Sequence, residues 1–114
     1  MYIFVTGTDT DVGKSYISRG IIRELSKENE TVGYLKPFQS GVIKNVPSDA
    51  DFVSENIEIQ SKSSYITNTP STPLISGEID RVDFDLKKVK TDFNELKSKA
   101  ENVIVEGSGG IYVP

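Results

Sequence analysis

The sequence predicts an α/β domain built on a parallel sheet flanked by helices. Three observations point there. A short run of β-branched and aromatic residues, Tyr2 to Thr6, is followed by a glycine- and threonine-rich loop and then by an amphipathic helix. A second apolar run, Thr31 to Leu35, follows that helix. Strand, helix and strand in this order form a βαβ unit, whose strands lie parallel. Near the other end, a further amphipathic helix leads into a third apolar run, Asn102 to Glu106.

Each element has a local reason. Tyr2 to Thr6 reads as a buried strand bounded by Gly7. The loop from Gly7 to Gly13 gives way to a helix near Lys14, in which Ile17, Ile21, Ile22 and Leu25 make one apolar stripe. The helix fades in the polar stretch Lys27 to Glu30. The second strand is expected to end at Lys36-Pro37, with a loop from Gln39 to Pro47. Ser48 to Ile57 reads as a helix with Ser48 or Asp49 near its start. Ser63 to Ser76, rich in Ser, Thr, Asn and Pro, reads as a loop with a short strand near Tyr65. Leu86, Val89, Phe93, Leu96 and Ala100 then define the clearest helical stripe, and Asn102 to Glu106 the third strand. All 114 residues are read as a single α/β domain, 1–114. Three strands without a closing helix suggest a sheet truncated after the third strand or completed by a second chain.

Composition removes several chemistries. The chain has no cysteine and no histidine, which excludes disulfides, thiolate or imidazole metal ligands, cysteine nucleophiles and Ser-His-Asp catalysis. Lys, Asp, Glu, Ser, Thr and the backbone remain. The net charge of −4 argues against generic nucleic-acid binding, so anion affinity must come from a local site. The opening MYIFVTGTDT has neither a basic region nor a long apolar run, and no stretch approaches the ~20 apolar residues of a membrane helix. The expected compartment is the cytoplasm.

The loop supplies the anion site. Strand, glycine-rich loop, Gly13-Lys14-Ser15 and helix make up the phosphate-loop arrangement. Backbone N–H groups of such a loop converge with the helix N-terminus on one anion. Lys14 adds charge for β- and γ-phosphates, and the Ser15 hydroxyl can ligate Mg²⁺. The strict pattern G-x-x-x-x-G-K-[ST] is not met, because Thr8 stands where its first glycine belongs and Gly7 is one residue early. The fold class is thus a P-loop NTPase-like, Rossmann-like parallel sheet.

Other candidates lie where a parallel sheet binds ligands, beyond the carboxyl ends of its strands. Lys36 precedes Pro37 at the end of the second strand, and a lysine there can reach the same phosphates as Lys14. Asp49 and Asp51 both open the following helix, and either could orient a hydrated metal or simply favour the helix N-terminus. Glu106 ends the third strand, where other phosphate-loop enzymes place an acid for the metal. Gly107-Ser108-Gly109-Gly110 then lets the backbone approach a ligand closely. Pro70-Ser71-Thr72-Pro73, read bare, is a turn.

Three ordered motifs carry a resemblance. They are Gly7-Thr8-Asp9-Thr10-Asp11-Val12-Gly13-Lys14-Ser15, then Lys36-Pro37 with Ser40-Gly41, then Glu106-Gly107-Ser108-Gly109-Gly110. Together they resemble the amino-terminal half of the dethiobiotin synthetase family. Partition-type regulatory ATPases normally carry a lysine where this chain has Asp9, which counts against that neighbouring family. The resemblance implies an ATP- and Mg²⁺-dependent ligase that joins CO₂ (bicarbonate) to 7,8-diaminopelargonate. It implies catalytic roles for Lys14 and Lys36, and ATP binding by Asp11, Val12, Gly13, Lys14, Ser15, Tyr16, Asp49, Glu106, Gly107, Ser108 and Gly109. Thr10, Ser40 and Thr72 are the implied substrate contacts, and Ser15, Asp49 and Glu106 the metal ligands, with Asp51 the fallback for Asp49. It also implies a homodimer. The alternatives are a regulatory ATPase-like module and a related ATP-dependent amidoligase.

Overall fold

The structure, a computed structural model, describes residues 1–113. Its elements are β1 (Tyr2–Val5), α1 (Lys14–Lys27), β2 (Val32–Gln39), α2 (Asp49–Ser54), β3 (Gln60–Ile66), α3 (Pro73–Asp80), α4 (Leu86–Lys99) and β4 (Asn102–Glu106). The strands form one sheet in the order β1-β4-β2-β3, and every pairing is parallel. The expected α/β class and its βαβ unit are both present.

Period-2 alternation distributes the strand residues between two cores. Val32 and Tyr34 of β2, Ile104 of β4 and Val5 of β1 join Ile22 of α1 and Val53 of α2 in one cluster. Leu35 and Val103 point the other way, onto Leu96 of α4 with Val89 and Phe93 beside it. Of the apolar stripe read in the sequence of α4, Val89, Phe93 and Leu96 cover the sheet, whereas Leu86 is exposed. With helices on both faces, Lys36 and Glu106 emerge together at the carboxyl ends of neighbouring strands, since Tyr34 pairs with Ile104 and Leu35 with Val105.

Five expectations need correction. Tyr2 to Thr6 reads as a buried strand, but β1 lies at the sheet edge with Tyr2 and Phe4 exposed. The second strand does not end at Lys36-Pro37 but continues to Gln39. Pro37 is tolerated because β4 pairs only with Val32 to Leu35, and the register with β3 passes from Lys36↔Ser63 to Phe38↔Tyr65. The expected short strand near Tyr65 is a full edge strand, Gln60–Ile66, which makes four strands rather than three. Residues up to Ser76 were expected as loop, yet α3 begins at Pro73, the first-turn position where a missing N–H costs nothing. The helix expected over Ser48 to Ile57 is confined to Asp49–Ser54, with Ser48 as its N-cap.

Candidate functional site

The loop between β1 and α1 is shaped by its glycines. Gly13, the N-cap of α1, has φ +99°, a conformation that other residues rarely adopt. A Cβ at Gly7 would lie 2.7 Å from the Val12 side chain, so the early glycine of the motif allows a close approach within the loop. From the far end of the chain, the loop after β4 closes onto this one. The Gly107 N–H donates to the Val5 carbonyl and the Ile111 N–H to the Gly7 carbonyl, each at 2.9 Å. Lys14 is buried (8% exposed), and its Nζ donates to the Asp9 carbonyl at 2.6 Å.

Glu106 is the hub of the site. It is fully buried, and its two oxygens accept from four side chains. Oε1 accepts from the Ser15 hydroxyl and from Lys36 Nζ, both at 2.7 Å. Oε2 accepts from Ser18 at 2.8 Å and from the Tyr34 hydroxyl at 2.9 Å. Burial alone would raise this carboxyl's pKa, but the Lys36 ammonium and the serine hydroxyls outweigh it and hold the carboxyl below its ordinary range. Burial, followed by the adjacent Glu106 charge, pushes the Tyr34 phenol upward, so it remains a donor.

Lys36, only 5% exposed, also reaches Asp49 Oδ2 at 2.6 Å. The Asp49 N–H donates to the Gln39 side chain at 3.3 Å, which ties the start of α2 to the end of β2. Asp51 has a different task. Its carboxylate accepts from the N–H and hydroxyl of Ser48, while its own N–H donates to Ser48 Oγ, a complete capping box. The Ser48 hydroxyl and N–H hold the Asp51 carboxyl below its usual range. Of the two acids left open by the sequence, Asp49 faces the site and Asp51 caps the helix.

Two clefts meet at Lys36. One, of about 340 Å³, is lined by Thr10, Asp11, Gly13, Lys14, Ser15, Tyr16, Lys36, Asp49, Glu106 and Gly109. The other, of about 500 Å³, shares Thr10, Asp11, Lys36, Asp49 and Gly109, and adds Ser40, Thr72 and Ser108 with Phe38, Gln39 and Ser71. Most of the residues singled out in the sequence thus converge. Val12 and Gly107 line neither cleft. Val12 packs against Gly7, and Gly107 lets the chain pass Phe4, whose ring would lie 3.2 Å from an added Cβ.

Sequence reasoning missed Tyr34, Ser18, Gln39 and Ser71. Tyr34 and Lys36 alternate onto one strand face, and Ser15 and Ser18 share one helix face, so periodicity held a signal for the first two. The wall containing Thr72 depends on another missed residue. Asp80 at the end of α3 accepts from the Asn68 and Thr69 N–H groups and the Thr69 hydroxyl. Asp80→Ala is expected to speed hydrogen exchange at the Asn68 and Thr69 amides by about tenfold, the loss of one charge-assisted bond each. Unchanged protection would mean that the loop holds its shape without Asp80.

The donor set suits a hard cation. Ser15 Oγ, Asp49 and Glu106 offer only oxygen ligands, and among the described residues no cluster of three or more carboxylates forms a protein cage. That pattern fits Mg²⁺, which binds one or two carboxylates and completes its shell with water and phosphate. A parallel sheet, a left-handed glycine entering α1 and a buried lysine–carboxylate pair at the strand ends define a phosphate-loop α/β domain. The chain belongs to the family described as an AAA domain, which it matches over residues 2–114. It is 38% identical to the ATP-dependent dethiobiotin synthetase BioD of Methanococcus vannielii, over 98% of this chain and 53% of that protein. Identity is 38% with the protein of the same name from Fusobacterium nucleatum (97% and 53%) and 41% with that from Methanococcus aeolicus (98% and 53%). The chain spans about half the length of these curated relatives. The similarity bears out the resemblance to the amino-terminal portion of dethiobiotin synthetases.

Proposed function

We propose that the protein carrying this chain is an ATP-dependent dethiobiotin synthetase. The observation that supports it most is the junction at Lys36, where a phosphate-loop cleft meets a second, hydroxyl-lined cleft. In the proposed reaction an amine nitrogen of 7,8-diaminopelargonate adds to CO₂ and loses a proton, giving a carbamate. A carbamate oxygen attacks the γ-phosphorus of ATP, the bond to ADP breaks, and a carbamic–phosphoric anhydride forms. The second amine adds to the anhydride carbonyl, phosphate leaves, and the ureido ring closes.

These steps need placement and charge neutralisation rather than a protein nucleophile, which a chain without His or Cys can provide. The backbone from Asp11 to Tyr16 and the Lys14 ammonium bind the phosphates. Lys36 neutralises the carbamate and the phosphoryl group passing between the clefts. Thr10, Ser40 and Thr72 orient the diamine, Ser108 lines the second cleft beside them, and Gly109 borders both clefts. Ser15, Asp49 and Glu106 would hold Mg²⁺, which when bound spreads the charge of the phosphate oxygens. We further assign the reaction to the cytoplasm and to a homodimer. Among the described residues no helix is long and apolar enough to cross a membrane.

The test is ADP release with ATP, Mg²⁺ and bicarbonate, with and without the diamine. Release is expected to require the diamine and to fall by about 10²-fold or more in Lys14→Ala and Lys36→Ala, the scale of losing one preorganised electrostatic group. Turnover indifferent to the diamine would sink the reading and favour a regulatory ATPase.

A further inference from the structure

We propose that Lys36 and a divalent cation compete for a single oxygen, Oε1 of Glu106, so that cation binding turns the Lys36 ammonium out toward the second cleft. The proposal rests on the magnesium–nucleotide reading of the site. Its basis is the different partners of the two Glu106 oxygens. Oε2 is held by Ser18 from α1 and Tyr34 from β2, and both residues are fully buried. The carboxylate therefore cannot rotate to exchange its oxygens without breaking two buried hydrogen bonds. Oε1 alone remains for the cleft.

That oxygen is already engaged by Lys36 Nζ at 2.7 Å, and the same ammonium contacts Asp49 Oδ2 at 2.6 Å. Ser15 Oγ, the third hard donor, also sits 2.7 Å from Oε1. The ammonium thus stands among the oxygens that a cation would use, as its internal substitute. A doubly charged ion and an ammonium on one buried oxygen repel each other strongly, because the surroundings screen poorly. Lys36 has somewhere to go, since it lines both clefts and its stem is long and flexible. The device orders events: the lysine charge reaches the second cleft only when the phosphate cleft has its own cation. Without a cation, the acids stay neutralised and the fold is not left with bare buried charge.

Two measurements test this on the protein carrying this chain, both free of nucleotide and diamine. Mn²⁺ binding is followed by electron paramagnetic resonance in wild type, Lys36→Met and Lys36→Gln. The glutamine keeps a hydrogen-bond donor for Oε1, which guards against misfolding of the methionine variant. Both variants are expected to bind Mn²⁺ about tenfold or more tightly than wild type, since the competing charge is gone. In wild type, reductive methylation of Lys36, read by peptide mass spectrometry, is expected to quicken several-fold at saturating Mn²⁺ as the amine leaves its buried site. Equal or weaker Mn²⁺ binding in both variants, or Lys36 labelling indifferent to saturating Mn²⁺, overturns the proposal. A wild type without diamine-dependent turnover would instead sink the synthetase reading and leave these two results standing.

Discussion

Glu106→Ala is expected to lower the unfolding free energy by about 3 kcal/mol, at the lower end of what breaking a buried ion pair costs. The substitution removes the acceptor of four side chains at once. Tyr34 and Ser18, both fully buried, are left with unsatisfied hydroxyls, and Lys36 keeps only Asp49. That remaining partner is why the low end of the range applies. Urea unfolding at fixed pH reads the loss as a lower midpoint with an unchanged slope. Glu106→Gln separates charge from shape, because it fills the same space and still accepts one pair of bonds; a smaller loss is expected.

Acid titration gives a second handle on the same residue. The folded-state pKa of Glu106 lies below its unfolded value, so its contribution is fully present above the unfolded pKa. It is lost as pH falls through the lower, folded pKa. Glu106→Gln has no such group and should show a shallower decline over that acid window. If the two proteins lose stability in parallel as the pH falls, the Lys36–Glu106 pair is not the source of the shift.

How much of this was legible in the sequence depends on whether a residue's task is local. β1, α1, α4 and β4 follow from apolar periodicity, and the phosphate loop from glycines and Lys14 in sequence. β3 was nearly invisible because Gln60-Ser61-Lys62-Ser63-Ser64 has no apolar alternation; at a sheet edge, pairing with β2 on one side supplies what propensity does not. α3 was hidden by Pro70-Ser71-Thr72-Pro73, which reads as a turn until Pro73 is recognised as a first-turn residue. The choice between Asp49 and Asp51 was in fact available, because Ser48-x-x-Asp51 is the signature of a capping box and commits Asp51 to the helix end. The Glu106 hub was half legible. Ser15 and Glu106 each belong to a motif, but the bonds that Ser18 and Tyr34 make to Oε2 join α1, β2 and β4, which only the sheet order brings together.

Gly110→Ala is expected to weaken nucleotide binding by about tenfold or more, although Gly110 lines neither cleft. A Cβ at position 110 would lie 2.2 Å from the Thr8 carbonyl oxygen, 2.6 Å from its carbon and 3.0 Å from the Asp9 nitrogen. All three obstacles are backbone, so no side chain can swing aside, and the phosphate loop itself must move. The displaced peptide precedes Asp9, whose carbonyl holds Lys14 Nζ. The same strain should cost about 1–3 kcal/mol of stability, as overpacking does elsewhere. Gly20→Ala is the control. It lies within α1 with open space where its Cβ would project, so the added methyl should stabilise the helix by roughly 0.5–1 kcal/mol. Nucleotide titration and thermal melts of both variants decide the matter. A Gly110→Ala protein that binds nucleotide like wild type would mean that the two loops are not rigidly coupled. Opposite signs for the two alanines would show that closing the chain's last loop onto its first sets the shape of the phosphate site.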